Sequence, residues 1–145
     1  MAENGLRVKI GDKFTFSKQI SDQDVRDFAR LSGDAQPLHL DQEYASKTRF
    51  KQRVAHGVIT LSIVSAALGT KLIGPDEAIV YLSQNLRFTR PVFVDDTINA
   101  MVEVTAIDAE RRRVTLNTTC TNQRDEQLLT GEALVLIDRY PYEAS

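Results

Sequence analysis

The stretch Gly57-Val58-Ile59-Thr60-Leu61-Ser62-Ile63-Val64-Ser65-Ala66-Ala67-Leu68-Gly69-Thr70-Lys71-Leu72 decides the fold. Val58, Ile59, Leu61, Ile63, Val64, Ala66, Ala67, Leu68 and Leu72 leave almost no wet face if the stretch is helical, and a helix apolar nearly all round is normally buried. Gly74-Pro75 ends it. Thr60, Ser62 and Ser65 interrupt the apolar run, which is too short to span a bilayer. The helix therefore needs a protein cover.

The residues after it supply one. Ala78 to Phe88, Thr97 to Ile107, Arg112 to Asn122 and Leu128 to Arg139 are each rich in Val, Ile, Leu, Thr or Phe and read as strands. Turn-like clusters separate them: Pro91 with Asp95-Asp96, then Asp108 to Arg111, then Asn122 to Glu126. Short links between long strands imply antiparallel pairing. Before the helix, Phe14 and Phe16 alternate with polar residues in a strand over Lys13 to Phe16. Ser21 and Asp24 form a capping-box pattern that starts a helix carrying Val25, Phe28, Ala29 and Leu31. Ser32-Gly33 stops that helix, a loop with Pro37 follows, and Asp41 can cap a short helix at Tyr44. The class is α+β: a five-stranded antiparallel sheet wrapped round one long buried helix, as a single domain over residues 1–145.

Composition agrees. A chain of 145 residues corresponds to one domain, and 42% hydrophobic with 26% charged residues is an ordinary globular balance. Eighteen Lys and Arg against twenty Asp and Glu give a formal net charge of −2, which argues against nucleic acid as a partner. Two histidines and one cysteine are too few for a typical structural zinc site, so no metal is expected. The lone Cys120 excludes an intrachain disulfide and fits a reducing compartment. The polar start Met1-Ala2-Glu3-Asn4-Gly5 lacks a signal-peptide core, and Tyr142-Glu143-Ala144-Ser145 is not a peroxisomal address. These features favour the cytoplasm, or an organelle matrix if a presequence has been removed, and no membrane. Arg111-Arg112-Arg113 reads as a solvated hairpin tip.

The chemistry centres on Ser32-Gly33-Asp34-Ala35-Gln36-Pro37-Leu38-His39. Asp34 and His39 lie five residues apart on a segment that Pro37 is expected to keep out of regular helix. Fully extended, five residues span about 17 Å, so a turn must bring the side chains together. A carboxylate and an imidazole aimed at one water could hold it, deprotonate it and return a proton to carbon, worth roughly 10²–10⁴-fold in rate. The plainer reading is that Asp34 closes a turn and His39 precedes the next helix.

The segment Phe28-Ala29-Arg30-Leu31-Ser32-Gly33-Asp34-Ala35-Gln36-Pro37-Leu38-His39, with Ala45 beyond it, resembles the signature of the MaoC-like (R)-specific enoyl-CoA hydratases. Gln36 stands where that family has Asn. The likeness continues through Val54-Ala55-His56-Gly57-Val58 and through Leu86-Arg87-Phe88-Thr89-Arg90-Pro91-Val92-Phe93-Val94. It implies a hot-dog fold and a hydro-lyase adding water to a trans-2-enoyl-CoA thioester, without metal or organic cofactor. The mitochondrial dehydratases acting on acyl carrier protein share the signature and give the alternative carrier. By the same resemblance, Asp34 activates the water for attack on C3 and His39 delivers or relays the proton to C2.

The resemblance further assigns the Gly57 amide, at a helix start whose first N–H groups are unpaired, to the thioester oxygen; the alternative is a packing or capping glycine. Ser65 matches a serine near the substrate, or bonds back to the carbonyl of Leu61. Ser62 shares its face. His56 either lines the entrance or fixes the loop. Arg87 and Arg90, with Lys51 and Arg53, are candidates for the coenzyme A phosphates. Gln36, one methylene longer than Asn, is expected to hold the loop less well. A non-catalytic acyl-binding subunit would have lost Asp34 or His39, and a thioesterase would need an acid on the helix, where residues 57–72 offer none. A homodimer is expected from the resemblance, and pairing would cover a sheet edge.

Overall fold

The computed structural model describes residues 5–143. The terminal residues 1–4 and 144–145, on which the targeting expectations partly rest, lie outside the described residues. The elements run β1 (Lys13–Gln19), α1 (Asp22–Ser32), α2 (Pro37–Leu40), α3 (Gln42–Ser46), α4 (Gly57–Lys71), β2 (Glu77–Phe88), β3 (Thr97–Asp108), β4 (Arg113–Thr121) and β5 (Gln127–Arg139). The strands form one antiparallel sheet in the order β1-β3-β4-β5-β2. This is the α+β arrangement expected from the patterning.

The core lies between the inner face of the sheet and α4. On β3 and β4 alternate residues are buried, among them Ile98, Ala100, Val102, Val104, Val114, Leu116 and Cys120. They pack with Ile59, Ile63, Val64, Ala67 and Leu68 of α4 in one cluster. The period-two alternation is what a sheet with one covered face requires. α4 is not covered all round, however. Val58 is 53% exposed, and Ser62, Ser65 and Gly69 continue an open strip down the same side. No helix among the described residues is long and apolar enough to cross a membrane.

Three further expectations change. Pro37 does not keep its segment irregular: it takes the first position of the helical turn α2, where its missing N–H costs nothing. Arg112 is not a solvated tip residue. It is buried with φ 56°, its Nε donates to Ile137 O at 2.7 Å, and Nη2 lies 3.6 Å from buried Glu77. Only its flanks, Arg111 and Arg113, face solvent. Leu31, expected on the apolar face of α1, is instead 77% exposed. Ser21 and Asp24 form the reciprocal capping box of α1, Gly33 caps its end with φ 83°, and Asp41 accepts from Tyr44 N at the start of α3.

At Gly131 of β5 an added Cβ would stand 2.0 Å from the carbonyl oxygen of Asn85 on β2. Gly131→Ala should therefore destabilise by about 3 kcal/mol through forced strand separation, read as a lowered denaturation midpoint. Burial pushes the Cys120 thiol up to about 12. The native protein should therefore leave Cys120 unmodified by a thiol reagent at pH 8, while denaturant exposes one reactive thiol per chain.

Candidate active site

α1 delivers Asp34. Its left-handed Gly33 cap turns the chain out of the helix with Gly33 N bonded to Ala29 O at 2.9 Å, and Asp34 follows at once. The α2 turn delivers His39. The side chains converge, with His39 Nε2 3.9 Å from Asp34 Oδ2. That is too long for a direct hydrogen bond. The carboxylate is half exposed, whereas the imidazole is buried.

Hydrogen bonding fixes the state of the ring. His39 Nδ1 lies 2.5 Å from Val54 O, and a carbonyl only accepts, so Nδ1 carries the hydrogen. In the neutral ring Nε2 then holds the lone pair, with the Asp34 carboxylate 3.9 Å away and the donor amide of Gln36 at 3.5 Å. Nε2 and the carboxylate are both acceptors. A water oxygen about 2.8 Å from each of two acceptors sets them roughly 4.4 Å apart when both its hydrogens are used. The observed 3.9 Å lies close to this spacing.

A second histidine stands behind the first. His56, the residue before α4, is 2% exposed, and its ring stacks on His39 with centroids 3.8 Å apart at 27°. His56 Nε2 donates to Asp34 O at 2.8 Å, and Phe28 packs tilted on its other side at 4.8 Å. His56 thus fixes the loop rather than lining the entrance. Its Nδ1 is buried with no hydrogen-bond partner among the described residues. Donor atoms of Asp34, His39 and His56 all lie within 4.8 Å of one another. Two of the ring nitrogens are already spent on carbonyls, His39 Nδ1 on Val54 O and His56 Nε2 on Asp34 O.

The segment 53–56 grips the loop at several points. Besides Val54 O and the His56 ring, Val54 N donates to Leu38 O at 3.3 Å and Arg53 Nε donates to His39 O at 2.7 Å. The segment is itself anchored by Ala55 N on Val92 O at 2.7 Å and by a bridge from Val54 to Phe93. Arg53 is therefore turned inward, not offered to a phosphate as expected from sequence. The Val54 carbonyl was not legible, because any residue type supplies one. The charge of Arg53 in the sequence gives no sign of an inward partner.

The other expected residues fall as follows. Gly57 is the first residue of α4, where the helix leaves its N–H unpaired. It borders a cleft of about 300 Å³ lined by Phe50, Val54, Thr60, Phe88 and Pro91. A Cβ there would meet the Phe88 ring at 3.4 Å, so the missing side chain keeps this mouth open. Ser62 and Ser65 lie on the exposed strip of α4, and Ser62 Oγ donates to Ile59 O at 2.6 Å. Arg87 is exposed on β2. Arg90 is partly engaged, with Nη1 donating to Gln127 O at 3.1 Å. Gln36 precedes α2 without capping it; its amide nitrogen instead comes within 3.5 Å of His39 Nε2.

Known proteins are similar to this chain in sequence and fold. A 3-hydroxybutyryl-CoA dehydratase of Methylorubrum extorquens is 42% identical, covering 91% of this chain and 82% of the relative. An (R)-specific enoyl-CoA hydratase of Rhodospirillum rubrum is 41% identical over 90% of this chain and 88% of its own. The solved (R)-hydratase from A. caviae, described as involved in PHA biosynthesis, superposes with a TM-score of 0.83 at 39% identity, covering 90% of this chain and 97% of that one. Residues 6–126 match the family described as MaoC like domain. With the hot-dog sheet, the helix and the Asp-His loop all in place, the chain belongs to the MaoC-like family.

Proposed function

We propose that the protein is an (R)-specific hydro-lyase that adds water reversibly across the double bond of a trans-2-enoyl-CoA thioester. The observation that carries this reading is the 3.9 Å gap between two hydrogen-bond acceptors, Asp34 Oδ2 and His39 Nε2. The relatives' printed activities support it.

In this reading one water sits in the gap and gives a hydrogen to each acceptor. Its oxygen attacks C3 as a proton leaves for the Asp34–His39 pair. The C2=C3 electrons move toward the thioester carbonyl, and the Gly57 N–H meets the oxygen that gains charge. The carbonyl reforms as C2 takes a proton from the pair. One proton is taken and one returned, so the site ends as it began. In the tautomer that Val54 imposes, neutral His39 has no Nε2 proton to give. It can only relay one it has received, which makes it a shuttle rather than an independent acid. Attack from the one face the pair occupies yields the (R)-3-hydroxyacyl thioester.

The functional unit is a homodimer. β2 is a twelve-residue edge strand with Val80, Tyr81, Leu82 and Phe88 exposed, and the open strip of α4 adds Val58. Long exposed apolar edges invite pairing, and a second copy offers a self-complementary cover.

Purified protein should consume trans-2-enoyl-CoA, followed by loss of the conjugated thioester absorbance. Asp34→Asn and His39→Ala should each lower kcat roughly 10²–10⁴-fold with the fold intact. A wild type inert toward every chain length, on coenzyme A and on acyl carrier protein alike, would falsify the reading. In sedimentation velocity the wild type should run as a dimer, and Val80→Lys/Leu82→Lys as a monomer, since edge lysines oppose pairing. A monomeric wild type at micromolar concentration rejects the dimer.

A further inference from the structure

We propose that Arg53, anchored on Asp22, is a positioning residue that sets His39 for the reaction by holding its main-chain carbonyl. The inference rests on the hydratase reading for its kinetic test only.

α2 has four residues, too few to hold a place by its own hydrogen bonds. The last carbonyls of a helix lack intrahelical partners, and here these include His39 O and Leu40 O. Arginines meet both: Arg53 Nε donates to His39 O at 2.7 Å, and Arg26 Nη2 to Leu40 O at 3.4 Å. Both arginines converge on Asp22 in the first turn of α1. Arg26 Nε bonds its two oxygens at 3.0 and 3.1 Å. Arg53 Nη2 lies 2.6 Å from Asp22 Oδ1, an ion-pair contact off the line of an N–H bond. Those two guanidiniums, Arg53 first, hold the Asp22 carboxyl below its ordinary range.

The Arg53 side chain is 13% exposed, so its charge is largely withdrawn from water. Burying a charge in an ion pair adds little net stability. What the arrangement supplies is geometry. Neighbouring residues of one segment grip His39 twice, Val54 O at the ring and the Arg53 guanidinium at the main chain. The first grip fixes the tautomer and the second fixes where the ring stands. With the second removed, the main chain of α2 is left with the longer Val54 N–Leu38 O and Arg26 Nη2–Leu40 O bonds, at 3.3 and 3.4 Å, so the turn can shift and the gap to Asp34 opens. Lysine retains the charge and can reach one partner, but lacks the planar fork that addresses a carbonyl and a carboxylate together.

The test compares Arg53→Met, Arg53→Lys, Asp22→Ala and the double variant Asp22→Ala/Arg53→Met. Steady-state kinetics on a trans-2-enoyl-CoA are one readout. The imidazole N–H signals in nitrogen-15 spectra are the other, tractable because the chain has two histidines. Arg53→Met should lower kcat on the order of 10²-fold, as expected for a misplacement near 1 Å. KM should change by less than about twofold, and the His39 Nδ1 proton signal should shift and exchange faster with solvent as the ring moves off Val54 O. Arg53→Lys should recover part of both. Asp22→Ala should show a smaller loss, and the double variant should stay within about twofold of Arg53→Met, because Asp22 acts chiefly through Arg53 and its other route, Arg26 to Leu40 O, is the longer contact. Wild-type kcat, or a His39 Nδ1 proton signal unchanged in position and protection in Arg53→Met, overturns the proposal. So does a rise in KM alone, which would return Arg53 to the thioester's phosphates. If Arg53→Met does not fold, the half-exposed Asp22→Ala decides by the same two readouts. A wild type without hydratase activity fails the functional reading, while the imidazole signal still decides the clamp.

Discussion

A main-chain carbonyl accepts a hydrogen bond and cannot donate one, and that asymmetry governs His39. With Val54 O taken by Nδ1, the reactive face of the ring is an acceptor in its neutral form. Everything that positions Val54 therefore bears on the chemistry. Val54 bridges to Phe93, and Ala55 bonds Val92, so the grip is referred back to the segment that leads into β3. His56 passes from the grip directly into α4, whose inner side is packed in the core. The loop bearing Asp34 and His39 is short and half open to solvent. Its rigidity comes from a sheet and a helix it does not belong to.

Stacking adds a second constraint. His39 and His56 lie face to face, and each spends one nitrogen on a carbonyl, Val54 O and Asp34 O respectively. The two catalytic candidates are thereby tied to each other through the main chain: His56 holds the backbone of Asp34 while its ring supports that of His39. This differs from a pair linked by a direct side-chain hydrogen bond. A direct bond would fill the space between carboxylate and imidazole. The indirect tie leaves that space free for a water.

The fold was legible because its signals are local or periodic. Ser21 and Asp24 announce α1, Gly33 ends it, and the alternation along β3 and β4 marks the inner face. Asp34 and His39 were legible as a motif. What was hidden depends on long-range geometry. Arg112 sits between two arginines, and only the fold shows that it turns inward to Glu77. Arg53 sits among cations that suggest a phosphate, yet its partners are Asp22 and a carbonyl. Pro37 was read as a helix breaker, although a proline can also occupy the first position of a turn. Gln36 illustrates the same limit. Its extra methylene suggests a looser loop, while in the structure that length carries the amide toward His39 Nε2.

The helix that decided the fold also bears on the proposed dimer. Its sequence is apolar on nearly every side, as suits full burial, yet one side stays open along Val58, Ser62, Ser65 and Gly69. On the dimer reading a second copy covers that strip. The residues along it suit close approach: three of the four are small, so a facing backbone can come near without leaving a large side chain in water. The neighbouring edge of β2 is apolar as well, with Phe88 52% exposed beside Gly57 at the mouth of the cleft. A second copy laid along β2 would shield Phe88 and narrow that mouth. On this argument dimerisation does more than complete the hydrophobic cover. It would also exclude bulk water from the place where the Gly57 amide has to act, and a hydrogen bond to a developing charge is strongest where solvent does not compete.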